Sequence, residues 1–203
     1  MQDAVVKMFP AFTIKFEGNI KWPYLDVKGL VTVGWGFLID PFTLAHSLPW
    51  VIGSTGEKPT MDQVWRDWKR VKQATNLAHQ GAWAAQRYTT IRLTDDGMAD
   101  TAAHRLRLNE SYILQHWFPD FEQWPADAQA ALMSMCWAMG ADGFYHFPKF
   151  VAFARAQDWK GCALECFINA RNNAGLVPRN WANRKLFTAA TTTENPSLIT
   201  GWP

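Results

Sequence analysis

Glu17, Asp26 and Thr32 combine residue types and spacing that could carry out chemistry. Glu17 falls at the end of an expected helix, where a carboxylate faces the negative end of the helix dipole. Phe16 and Trp22 are close in sequence. Both effects disfavour ionisation, so a raised pKa suited to a general acid is expected for Glu17. Asp26 opens an Asp-Val-Lys-Gly turn whose backbone donors are expected to keep it ionised. Thr32 is expected across the hairpin from Asp26, where its hydroxyl can help hold a water. Two carboxyls tuned apart, roughly 6.5–9.5 Å from each other with a water between, form the arrangement of an inverting glycosidase. A Glu ending a helix and an Asp in a turn are also commonplace, so spacing alone leaves the catalytic and the purely structural readings open.

Local signals predict the elements that must hold these residues. A short helix with Pro10 at its first position puts Phe12 and Phe16 on one side and stops at Gly18. β-Branched and aromatic residues flank Asp26–Gly29 and predict a hairpin, with Gly34 and Gly36 punctuating the end of its second strand. Residues 45–90 read as an insertion: a Pro-, Gly- and Ser-rich loop from His46 to Pro59, then a helix capped by Thr60. On that helix the basic run Arg66, Lys69, Arg70 and Lys72 is expected to be a solvated face, a wall- or partner-binding patch being the alternative.

From residue 91 onward the chain is expected to be helical. Thr94 caps one helix, and Trp124-Pro125 opens another that is apolar on nearly every face and therefore central to its lobe. Further helices begin at Pro148, after Asp158, and after a Gly-Leu-x-Pro turn. The expectation is an α+β fold of one domain: a β-hairpin lobe over 1–44, the 45–90 insertion, and a larger helical lobe over 91–203.

Composition narrows the function classes. A net charge of +2 does not argue for nucleic acid but is compatible with an anionic polymer. No apolar run approaches the roughly 20 residues of a membrane span, and no secretory signal is visible at the start. The three cysteines, Cys136, Cys162 and Cys166, are expected to be reduced core residues. The five histidines are scattered singly, so no metal site and no cofactor is expected. GSTGEKPT at 53–60 fails as a P-loop because Glu57 stands where the phosphate-binding Lys belongs. Most of the 12 tryptophans are expected to be core bulk, with two or three at most serving as sugar platforms.

The order Glu17-x8-Asp26-x5-Thr32-Val-Gly34-x-Gly36 resembles the signature of the phage-type lysozymes, glycoside hydrolase family 24, which includes the T-even phage endolysins. SMCWAMG resembles that family's central buried helix, Asp158-Trp159 the start of a later one, and GLVPRNWANRKLF its closing segment. The resemblance covers about 16–40 and 91–190 and leaves 45–90 as an insertion. It implies a lysozyme-like fold and hydrolysis of the β-1,4 bond between N-acetylmuramic acid and N-acetylglucosamine. Glu17 is then the acid, and Asp26 and Thr32 hold the water. Gly36, Leu38, Trp137 and Glu165 line the sugar cleft, and Arg179 orients Glu17.

Departures from the family pattern occur at Phe37, where many members have His, and at Arg105, Phe150, Glu165 and Asn180. Glu165 and Phe150 keep a chitin-type glycan open as an alternative substrate, and a non-catalytic wall-binding module is the alternative of another class. The implied partner is bacterial peptidoglycan, without nucleic acid or membrane insertion. Synthesis in a bacterial cytoplasm is expected, with delivery to the periplasm through a holin, a virion or a secretion machine. In the last case an immunity or inhibitor protein is a further partner.

Overall fold

The computed structural model describes residues 1–171 and 173–191. It is a mixed helix-and-strand, α+β structure with two small antiparallel sheets. Two compact units can be separated: residues 17–102, and residues 1–16 together with 103 onward. The insertion expected over 45–90 therefore belongs to the same unit as the hairpin. Among the described residues, no helix is long and apolar enough to cross a membrane.

Helix α1 (Asp3–Glu17) opens the chain, with Pro10 inside it and not at its first position. A proline there removes one backbone hydrogen bond. Val5, Phe9, Phe12 and Thr13, spaced 4, 3 and 1 apart, form one buried stripe that needs the helix on both sides of Pro10. Tertiary burial outweighs the local penalty. Gly18 (φ +74°) ends the helix as expected.

In the unit of residues 17–102, β1 (Ile20–Leu25), β2 (Val31–Gly34) and β3 (Phe37–Leu38) form an antiparallel sheet in sequence order. Two short strands, β4 (Trp50–Ile52) and β5 (Ile91–Leu93), pair separately. Between them α2 (Met61–Gln73) starts at Thr60 with a full capping box: Thr60 Oγ1 accepts from Gln63 N, and the Gln63 side chain accepts from Thr60 N. This unit is rich in loops, and its buried tryptophans fasten them. The indole N–H groups of Trp22, Trp35, Trp50 and Trp68 donate to Ala82 O, Asn19 Oδ1, Ala45 O and Ile39 O at 2.8, 3.1, 2.8 and 2.7 Å. A second fastener is Asp67, only 2% exposed. Its Oδ2 accepts from the backbone N–H groups of Thr90 and Ile91 and from the Thr90 hydroxyl, tying α2 to the start of β5.

In the other unit, α3 (Asp95–His116, which the unit boundary divides) leads to α4 (Ala126–Met139), in which every residue from Ala126 to Cys136 is buried. Around it pack α5 (Pro148–Arg155), α6 (Trp159–Glu165) and α7 (Leu176–Ala190). Asp158 caps α6 by accepting from Gly161 N at 2.9 Å. Helix α6 stops at Glu165, and just beyond it Asn180 of α7 binds both backbone groups of Ile168. The core contains Trp124 in ring contact with Phe118 and Trp159, and Phe150 between Phe144 and Phe187. Cys136, Cys162 and Cys166 are buried thiols, and burial pushes the last two up to about 12.

Candidate active site

The turn between β1 and β2 is built around Asp26. Its Oδ1 accepts from Lys28 N and Leu30 N, both at 2.8 Å, while its backbone exchanges bonds with Gly29 and Leu30. Gly29 takes φ +74°, which closes the loop without Cβ strain. Both side-chain bonds fall on Oδ1, so Oδ2 meets no backbone donor of the turn among the described residues.

The strand register places Thr32 opposite Tyr24, not opposite Asp26. Asp26 already belongs to the turn, since Leu25 and Val31 form the last pair. Thr32 also pairs with Leu38 on β3, so Tyr24, Thr32 and Leu38 share one face of the sheet across three strands. The Thr32 hydroxyl donates to Leu30 O at 3.3 Å, which leaves its oxygen as an acceptor. Leu38 is exposed at the edge of this face.

Glu17 reaches the same hairpin through Gly36. A Cβ on Gly36 would lie 2.5 Å from Glu17 Oε2 and 3.0 Å from its Cδ, so the carboxyl rests directly on the glycine backbone. Gly36 also has φ +78°, so both its conformation and its lack of a side chain are required. Beneath it, Phe37 is fully buried and lies under Gly34, whose own Cβ would meet the ring at 2.7 Å. Apolar packing therefore occupies the position where the resembling family often has His.

Tyr24 connects the two carboxyl groups electrostatically. Burial raises its phenol pKa first, and the Glu17 and then the Asp26 carboxylate raise it further. The Tyr24 hydroxyl therefore sits within electrostatic range of both. Its phenol stays protonated, and reading the sequence missed it. Its alternation with Trp22 along β1, two residues before Asp26, was the available signal.

The structure thus gathers Glu17, Asp26, Thr32, Gly36 and Leu38 within one unit. Trp137, Glu165 and Arg179 belong to the other. Trp137 is half-buried against Phe9, with ring centroids 5.0 Å apart. Glu165 is half-buried at the end of α6. Arg179 is only 1% exposed and offers almost no surface to a glycan. It donates to Ser134 O at 3.2 Å, and its guanidinium lies 4.9 Å from the Phe16 ring. Phe150 is fully buried, so it has no means of reshaping sugar recognition.

Two further residues stand behind the turn, Lys72 and Asp40. Lys72, expected on a solvated face, donates to Asp40 Oδ2 at 2.6 Å and to Gly29 O at 3.0 Å. Asp40 Oδ2 also accepts from Val31 N at 3.1 Å. Burial raises the Asp40 pKa, but the bonds from Lys72 and Val31 outweigh it and hold the group below the ordinary carboxylate value. Among the described residues, no group of three or more His, Cys, Asp or Glu is placed to hold a metal ion.

No protein-family model and no curated protein matches this chain.

Proposed function

We propose that this protein is a lysozyme-like peptidoglycan hydrolase, an N-acetylmuramidase that inverts the anomeric centre and acts in bacterial cell lysis. The observation that carries this reading is the seating of the Glu17 carboxyl on Gly36, beside a phenol that also feels Asp26. An acid at a helix end seated against the sheet whose turn carries a proton acceptor suits glycoside hydrolysis better than a merely structural turn. Glu17 protonates the leaving glycosidic oxygen. A water donates to Asp26 Oδ2 and to the Thr32 hydroxyl oxygen, which directs its lone pair at the anomeric carbon. As the bond to the leaving oxygen breaks, Asp26 takes the water's proton and the product carries the opposite configuration.

On this reading Leu38 offers an exposed apolar contact to the sugar, Gly36 shapes the acid's seat, and Trp137 and Glu165 are assigned to substrate by the family resemblance. The partner is the bacterial wall, reached from the cytoplasm through a holin, a virion or an injection machine. An immunity or inhibitor protein belongs to the last route.

The test is digestion of purified Gram-negative sacculi by wild type and Glu17→Gln, with mass spectrometry of the fragments and NMR of the first-formed anomer. Wild type should release muramic reducing ends as the α-anomer, and Glu17→Gln should be slower by about 10²–10⁴-fold. Retention of configuration, or a Glu17→Gln rate above about a tenth of wild type, would refute the mechanism. Cleavage of chitin oligomers but not of sacculi would move the substrate to the other glycan.

A further inference from the structure

We infer that Lys72 and Asp40 are positioning residues for the water-activating group, holding the Asp26 turn from behind through α2. This inference rests on the hydrolase reading above. The loop from Asp26 to Val31 is held at two points outside itself. Lys72 Nζ donates to the Gly29 carbonyl at 3.0 Å, and Asp40 Oδ2 accepts from the Val31 amide at 3.1 Å. The two holds are joined, because the same Asp40 oxygen lies 2.6 Å from Lys72 Nζ.

Lys28 and Leu30, whose amides fix Asp26 Oδ1, flank Gly29 on either side. Gly29 N donates to the Asp26 carbonyl at 2.9 Å, so a displacement of Gly29 is passed to Asp26 through one bond. Val31 immediately precedes Thr32, so the second hold sits one residue from the other water ligand.

Helix α2 is itself anchored to the hairpin. Trp68, four residues before Lys72 and on the same face, donates its indole N–H to Ile39 O at 2.7 Å. Ile39 in turn donates to Val31 O at 2.9 Å. Trp68 and Lys72 thus grip adjacent points of the hairpin from one rigid helix, which is capped at Thr60. An insertion with no chemistry of its own has a function in this arrangement, because it fixes where Asp26 points. Catalytic geometry is demanding enough that a shift of about 1 Å can cost about 10²-fold in rate. The Lys72 and Asp40 side chains are 37% and 13% exposed, so removing the pair leaves no deeply buried charge behind.

The experiment measures kcat and KM on soluble peptidoglycan fragments for wild type, Lys72→Met, Lys72→Arg, Asp40→Asn and the Asp40→Asn/Lys72→Met double variant. Amide hydrogen exchange across residues 26–32 is followed in parallel. Lys21→Met is the control, because it breaks an ion pair to Asp95 of 2.7 Å in the same unit without touching the turn. Lys72→Met and Asp40→Asn should each lower kcat about 10–100-fold with KM within about twofold, and the double variant should fall no further than the singles. The 26–32 amides should exchange faster in both, Lys72→Arg should recover part of kcat, and Lys21→Met should change neither.

An unchanged kcat in Lys72→Met, whether or not exchange quickens, overturns the inference while leaving the hydrolase reading intact. So does an equal loss in Lys21→Met, which would mean a general stability effect. Where Lys72→Met fails to fold, Asp40→Asn alone decides by the same kcat criterion. A wild type that releases no fragments overturns the hydrolase reading, and the inference with it.

Discussion

Gly36 shows how one residue can carry two requirements. Its φ of +78° lies in the left-handed region, and its missing Cβ is the space that Glu17 Oε2 occupies. An alanine pays backbone strain of about 1–3 kcal/mol and also pushes the carboxyl off its seat. Gly36→Ala should therefore lose most hydrolysis while keeping the hairpin, since the β1–β2 register does not depend on it. Sacculus digestion alongside circular dichroism checks this, and wild-type turnover in Gly36→Ala would contradict the placement of Glu17. Tyr24 makes a complementary point. Its phenol stays protonated because burial and the Glu17 and Asp26 carboxyl groups all disfavour the phenolate, so its O–H remains available as a donor. Tyr24→Phe removes that donor at almost constant volume. It should shift the acid limb of the kcat pH profile, since a hydroxyl within electrostatic range of both carboxyl groups is removed. An unmoved acid limb would exclude Tyr24 from the site's electrostatics.

At the scale of elements, α2 and β5 depend on each other through Asp67. Three donors converge on one buried carboxylate oxygen, so Asp67→Ala leaves the Thr90 and Ile91 amides without their acceptor. Each buried unsatisfied group costs about 1–3 kcal/mol. The variant should lower the urea midpoint of the unit of residues 17–102, and a change within error would refute this role. Local chemistry announced several of these elements. Thr60 with Gln63, Asp158, Thr94 and Gly18 each lie within a few residues of the helix end they define. Pro10 was misleading for the same reason, since its strongest local preference is the first turn of a helix. The stripe of Val5, Phe9, Phe12 and Thr13 gains enough burial to keep it in the interior.

At the scale of the molecule, the two units should respond to acid with opposite signs. Asp40 and Asp95 are both held below the ordinary carboxylate value. Asp95 is lowered chiefly by its bond from Lys21, and at Asp40 the Lys72 and Val31 bonds overcome burial. A carboxylate whose folded pKa is depressed stabilises fully above the unfolded value of about 3.9. That stabilisation disappears as pH falls through the folded pKa. Asp127, in the first turn of α4 and 4% exposed, is raised by burial even though the helix N-terminus favours its anion. Its contribution runs the other way, present below about 3.9 and lost as pH rises through the folded value. Hydrogen exchange at pH 3 against pH 5.5, corrected for intrinsic rates, should show residues 17–102 losing more protection than residues 103–191. Asp127→Asn should remove the helical unit's advantage, and equal losses in both units would refute the assignment.

Some properties of this protein are legible in the sequence because their causes lie within a few residues. The Asp26–Gly29 turn needs only an acceptor and a glycine, the caps need only a side-chain oxygen three residues from an amide, and the burial of α4 needs only its uninterrupted apolarity. Glu17 and Asp26 could be singled out because a helix end and a turn are local features. The tertiary structure alone decided the rest. Thr32 faces Tyr24 because strand register is settled by packing across the sheet, where a shift of one residue reverses every side chain. Lys72 became the brace of the turn because folding brings it to Asp40 and Gly29, 32 and 43 residues away in the chain. No local preference encodes such a meeting. A lysine on a helix reads as solvated until the fold supplies its partner, because its charge is satisfied equally well by water or by a carboxylate.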